Sequence, residues 1–134
     1  MNWTLVFQLS LFGLAMAVGT VFFIPSSVEP LCWLIIFLVC AYVVARRCRH
    51  RLFLHGLAIG IVNSVWVTAA HMLLFGQYIA RHANEAAMMK SMPAPDSPRL
   101  MMALIGPVIG IVSGAIIGVL CLLAGKVFQG RESL

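Results

Sequence analysis

The residues with most chemistry to offer are Asn63, Thr68 and His71, which sit inside a long apolar run. An amide, a hydroxyl and an imidazole in such a run can bind a solute or pass a proton, and an ionisable group inside a membrane span is a functional candidate by default. On an ideal helix with Gly56 at zero, Asn63 falls at about −20°, Gly60 at about 40°, His71 at about 60°, Ser64 at about 80° and Thr68 at about 120°. The polar and small residues therefore share one arc. Ala58, Val62, Val65, Trp66, Ala69 and Leu73 occupy the opposite arc and are expected to face lipid. Asn63, Thr68 and His71 then point into the bundle as candidate transport residues. The plainer account is that they hydrogen-bond neighbouring helices and set their register.

If this helix runs past Ala80, Tyr78, His82 and Glu85 continue the arc of His71. Such a stripe could hold a divalent metal, and the thioethers of Met88, Met89 and Met92, with Met101 and Met102 beyond, favour Cu(I). The candidate ligands for copper or zinc are thus His71, His82, Glu85, Met88, Met89 and Met92. No zincin-type spacing accompanies them, and methionine commonly packs amphipathic segments, so no cofactor is expected. The four cysteines, Cys32, Cys40, Cys48 and Cys121, include no CxxC pair. Cys48 lies among arginines, and exposure there would lower its pKa. No nucleophile–base pair, phosphate loop or paired buried carboxylates occur, so an enzyme is not expected.

These residues are carried by a chain that is 62% hydrophobic and only 10% charged. Soluble domains hold about 25% charged residues, so lipid is the main solvent. The net charge of +5 does not indicate a nucleic-acid partner, because the basic residues fill short gaps between apolar runs and no basic–aromatic patch is present. Four runs predict an all-α bundle of four transmembrane helices over about 3–24, 31–46, 52–81 and 99–128, in one integral membrane domain. The first run has no leading Lys or Arg and no A-x-A site, so it reads as a span and not a signal peptide. PSSVEP, including Glu29, reads as a loop, and Gly106-Pro107 is expected to kink the last helix.

Arg46, Arg47, Arg49 and Arg51 follow the second run, and Lys126 and Arg131 lie near the C-terminus. These six fit a cytoplasmic, headgroup-binding face, against Arg81, Lys90 and Arg99 on the other side, which Glu85 and Asp96 dilute. Both termini are then cytoplasmic and loop 82–98 is outside. Trp3, Trp33 and Tyr78 fit interface anchors.

Gly56, Gly60, Ser64 and Thr68 recur every fourth residue, as do Gly106, Gly110, Gly114 and Gly118. Helices in lipid associate through close backbone contact, which small residues permit. The two ladders predict tight packing of helices three and four on each other, or a homo-oligomer contact through one of them. The stretches HGLAIGIVNSVWVTAAHMLLFGQYI and GPVIGIVSGAIIGVL, within residues 52–128, resemble small bacterial four-helix integral membrane proteins of unknown function. That resemblance implies a bacterial inner membrane, with loop 82–98 periplasmic, and assigns no activity. Small multidrug transporters carry a membrane-buried glutamate in their first helix, and this chain has none there.

The leading expectation is a structural or accessory membrane protein, self-associating through its small-residue faces or joined to a membrane-protein partner. The second is a small oligomeric transporter or channel using the polar face of helix three. The third is an outward-facing copper binder.

Overall fold

The computed structural model describes residues 1–23, 27–76, 80 and 98–129. They form four helices: α1 (Trp3–Phe22), α2 (Glu29–Arg47), α3 (Leu52–Leu73) and α4 (Pro98–Gln129). No strand occurs among the described residues. Each helix is long and apolar enough to cross a membrane, so the chain is an all-α, multi-pass integral membrane protein.

Three helix boundaries depart from the sequence reading, the first being α1, which ends at Phe22 and not at residue 24. α2 begins at Glu29, not at residue 31, which moves Glu29 from a loop into a first turn. The carboxylate there complements the positive helix end, and Pro30 suits a position where its missing N–H goes unneeded. The continuous α3 ends at Leu73, not at residue 81; Leu74 N–H still bonds to Ala70 O, but its own backbone leaves the helical region. At 1.5 Å per residue this helix is about 33 Å long, close to the hydrocarbon thickness. α4 runs unbroken through Pro107.

The starts of α1 and α3 and the ends of α2 and α4 share one end of the bundle. Asn2 caps α1 by accepting Leu5 N–H at 3.1 Å, and its own N–H donates to His55 Nε2 at 3.0 Å. With Nε2 accepting, His55 must carry its proton on Nδ1, which donates to Arg51 O at 2.8 Å. Arg51 ends the α2–α3 link in the left-handed region (φ 56°), a conformation that costs a non-glycine residue about 1 kcal/mol. His55 thus ties that link to the start of α1. Gln129 closes the same end by donating its amide to Ala45 O (3.1 Å) and Cys48 O (2.7 Å), carbonyls that the end of α2 leaves without helical partners. Tyr42 of α2 stacks edge-on against Phe128 of α4 nearby.

α3 is central. One face lies against α4 and another against α1, while α2 packs mainly on α4 and barely meets α1. The α3–α4 contact is made by the two ladders in antiparallel register: Gly56 meets Gly118, Gly60 meets Gly114, Ser64 meets Gly110 and Thr68 meets Gly106. A β-carbon on Gly60 would strike the Gly114 backbone, and one on Gly114 would lie 2.6 Å from Leu57 O. All four α4 ladder glycines are buried within the chain. Beside the termini half of this seam, Val6, Val44, Ile59, Ile117, Cys40 and Cys121 form a core with almost no exposure.

The arc expected to face lipid divides. Val65, Ala69 and Leu73 are exposed. Ala58 and Val62 instead pack against the core. Trp66 is half-buried, its indole N–H donating to Ser10 of α1 at 3.3 Å. A helix packed on two sides keeps only a narrow lipid-facing strip, and a wheel built from one face could not anticipate this.

The ladder should respond unequally to alanine. Gly60→Ala or Gly114→Ala meets backbone that cannot yield and should cost more than about 2 kcal/mol. Gly106→Ala meets the Thr68 side chain, which can turn, and should cost less. Gly76→Ala meets nothing within 4 Å and should be neutral. Unfolding midpoints in detergent would rank them; equal midpoints for G60A and G76A would remove the seam from the account of stability.

Candidate functional site

Nearer the other end, α2, α3 and α4 line a cavity of about 430 Å³. α3 contributes its polar face: Asn63, Ser64, Thr68 and His71. α4 adds Met101, Met102, Ile105 and Ile109, and Ser113 at the deeper level. α2 adds Glu29, Trp33 and Phe37. The candidate transport residues Asn63, Thr68 and His71 therefore share one cavity wall. Thr68 and Ser64 also belong to the ladder, and the Ser64 hydroxyl donates to Ile61 O at 2.7 Å.

Asn63 lies halfway along α3, about 17 Å from Leu52, at the depth where an unpaired polar group is most costly. Its side chain is pressed against Gly13 of α1, where a β-carbon would come within 2.7 Å of Cγ. It is only 4% exposed, and neither Oδ1 nor Nδ2 has a hydrogen-bond partner among the described residues. A buried polar group left in that state costs about 1–3 kcal/mol.

His71 lies two turns nearer the far end and is 8% exposed. Its Nε2 is 3.0 Å from Thr20 Oγ1, and that hydroxyl donates to Ala17 O at 3.2 Å. Thr20 has then used its proton, so His71 Nε2–H is the donor. Glu29 is the only acidic residue among those described, and its carboxylate accepts the Trp33 indole N–H at 3.4 Å. The interface-anchor reading of Trp33 is incomplete, since its ring also lines the cavity.

Sequence reasoning missed Glu29 and the α1 partners. Ser10, Gly13, Ala17 and Thr20 are spaced by three and four residues and are all buried. That small, polar stripe could have identified the face of α1 that receives Trp66, Asn63 and His71. Reading PSSVEP as a turn up to Pro30 hid Glu29.

His82, Glu85, Met88, Met89 and Met92 lie outside the described residues, as does Tyr78. Among the described residues no group of three or more His, Cys, Asp or Glu side chains could hold a metal ion. Arg46 and Arg49 flank a notch of about 80 Å³ beside Gln129 at the termini end, and all four arginines of the link region are exposed. Comparison of the chain with family models, curated proteins and solved structures finds no match.

The condition for an activated Cys48 is not met. The residue is 7% exposed, and burial pushes its thiol above the usual value, outweighing the opposite pull of the chain's amino group. Thiolate is the reactive form, so a raised pKa leaves less of it at neutral pH. Cys48 should therefore alkylate slowly in the folded protein at pH 7.5 and rapidly after denaturation. Mass spectrometry of peptides after brief maleimide treatment would locate the label; fast folded-state labelling at Cys48 would contradict its burial.

Proposed function

We propose that the protein is a small integral membrane transporter that takes a small molecule into the cavity along the polar face of α3. The observation that carries this reading is the cavity of about 430 Å³ that the polar face of α3, with Ser64 and Thr68, shares with α2 and α4 at mid-membrane depth. A helix built only for packing would match the Asn63 amide with a neighbour, as Thr20 is matched with His71.

The cavity is polar on one wall, and the core around Ile59 and Ile117 closes it toward the termini. Transport then requires entry away from that core, and movement of the core or a second copy to complete the passage. The arginine-rich end is assigned to the cytoplasm and the cavity to the outer side of a bacterial inner membrane, by the asymmetry of the basic residues. Self-association, if the protein uses it, proceeds through a face other than the ladders, because both are consumed within the chain.

Accessibility of a cysteine at Thr68 tests this reading. In reconstituted vesicles of known orientation, Thr68→Cys should react with a small membrane-impermeant thiol reagent from the outer side alone. Val6→Cys, in the closed half, should remain unlabelled from both sides. A Thr68→Cys variant as inert as Val6→Cys would leave no access path and overturn the proposal.

A further inference from the structure

We infer that the outer face of α1 is the contact surface for a second copy of this chain, with the two Gln8 amides hydrogen-bonded to each other across the interface. The inference goes beyond the cavity reading and does not rest on it.

α1 has one main neighbour. Ser10, Gly13 and Thr20 turn toward α3, and α2 barely touches this helix. The opposite face carries Thr4, Gln8, Leu11, Ala15 and Val18, all exposed, with Phe22 half-buried at its end. These residues are spaced by four and three in turn, and on an ideal helix they fall within an arc of about 80°. That is the spacing by which two helices cross at a shallow angle and interlock along a seam.

The apolar members of this stripe need only lipid. Gln8 needs more. It lies about 8 Å along the helix from Trp3, inside the hydrocarbon, and is exposed there. Its amide has no hydrogen-bond partner among the described residues. Ser10, Thr20, Asn63 and His71, by contrast, are buried inside the bundle. Lipid tails offer an amide neither donor nor acceptor, so the group is satisfied by a neighbouring helix. Glutamine has a shorter stem than lysine and arginine, the side chains that escape lipid by reaching back to the surface.

The chemistry of the amide and the topology together name the occupant. A primary amide donates through its nitrogen and accepts through its carbonyl, so it is complementary to its own copy. Two copies inserted the same way in one membrane carry parallel α1 helices, related by a twofold axis along the membrane normal. Residues of one stripe then meet their own counterparts level by level. Gln8 faces its counterpart, and each amide donates to the other's carbonyl. Ala15, two turns deeper, is small enough for the backbones to approach. Pairing here disturbs neither glycine ladder, since both lie between α3 and α4.

Two measurements in reconstituted lipid vesicles test this. Ala15→Cys, on the stripe, should give a disulfide-linked dimer on mild oxidation with copper phenanthroline. Phe12→Cys and Leu14→Cys, about 80° to either side of the stripe's midline, should link no more than wild type, whose native cysteines set the background. In the second measurement, energy transfer between labelled copies follows dimerisation as lipid is added. Gln8→Leu should weaken it at least about fivefold, and Gln8→Asn, which keeps the amide, should weaken it less. An unchanged unfolding midpoint in detergent shows that each variant keeps its bundle; where the midpoint falls, the crosslinking pattern decides alone. A wild type that stays monomeric at every lipid dilution overturns the inference. So does a dimer that Gln8→Leu leaves unchanged, or one that links through Phe12→Cys or Leu14→Cys in preference to Ala15→Cys.

Discussion

Everything in this bundle depends on how closely α3 and α4 approach. Two helices surrounded by lipid gain little from hiding apolar side chains, because the lipid is equally apolar. Contact between their backbones has to hold them, and this is possible only where β-carbons are missing or small. The antiparallel match of Gly56 with Gly118 and Gly60 with Gly114 provides that contact over the termini half of the seam. Farther along, the pairs become Ser64 with Gly110 and Thr68 with Gly106, so hydroxyls enter the seam. The seam changes from backbone-on-backbone to polar, and the cavity opens at that level.

Much of this was legible in the residues. Four apolar runs specify four spans because hydrocarbon thickness fixes the length of a helix that crosses it. The ladders were visible as a period of four. What could not be read was the second face of α3. Periodicity ranks residues by polarity around one axis and does not say how many neighbours the axis has. Trp66 looked lipid-facing because it lies on the arc opposite the polar residues, but its indole N–H has Ser10 to bond with. The candidate site was half legible: Asn63, Thr68 and His71 lie on one wall, whereas Glu29 was hidden by a proline that starts a helix. His55 and Gln129 gave no periodic signal, since each acts on backbone groups of distant segments.

The two polar groups that α3 turns toward α1 differ in their solutions. His71 meets Thr20, whose hydroxyl passes its own proton to Ala17 O, so the pair is complete within the protein. Asn63 meets Gly13, which offers room and no side-chain partner. One contact fastens α1 to α3; the other makes space for an amide and leaves its hydrogen bonds unmade. The contrast occurs on one helix face, within about 12 Å.

The weak contact between α1 and α2 has a consequence for how the protein is made. These helices leave the ribosome first, and each finds its main neighbour among the helices made later: α1 on α3, α2 on α4. Until α3 emerges, the first two spans reside in the bilayer as separate guests, and α2 waits longer still, for α4. The last segment to be inserted contains the surface that organises the others. A chain truncated before α4 would therefore carry an α1–α3 pair and an α2 without its main neighbour, the condition in which membrane quality-control proteases find their substrates.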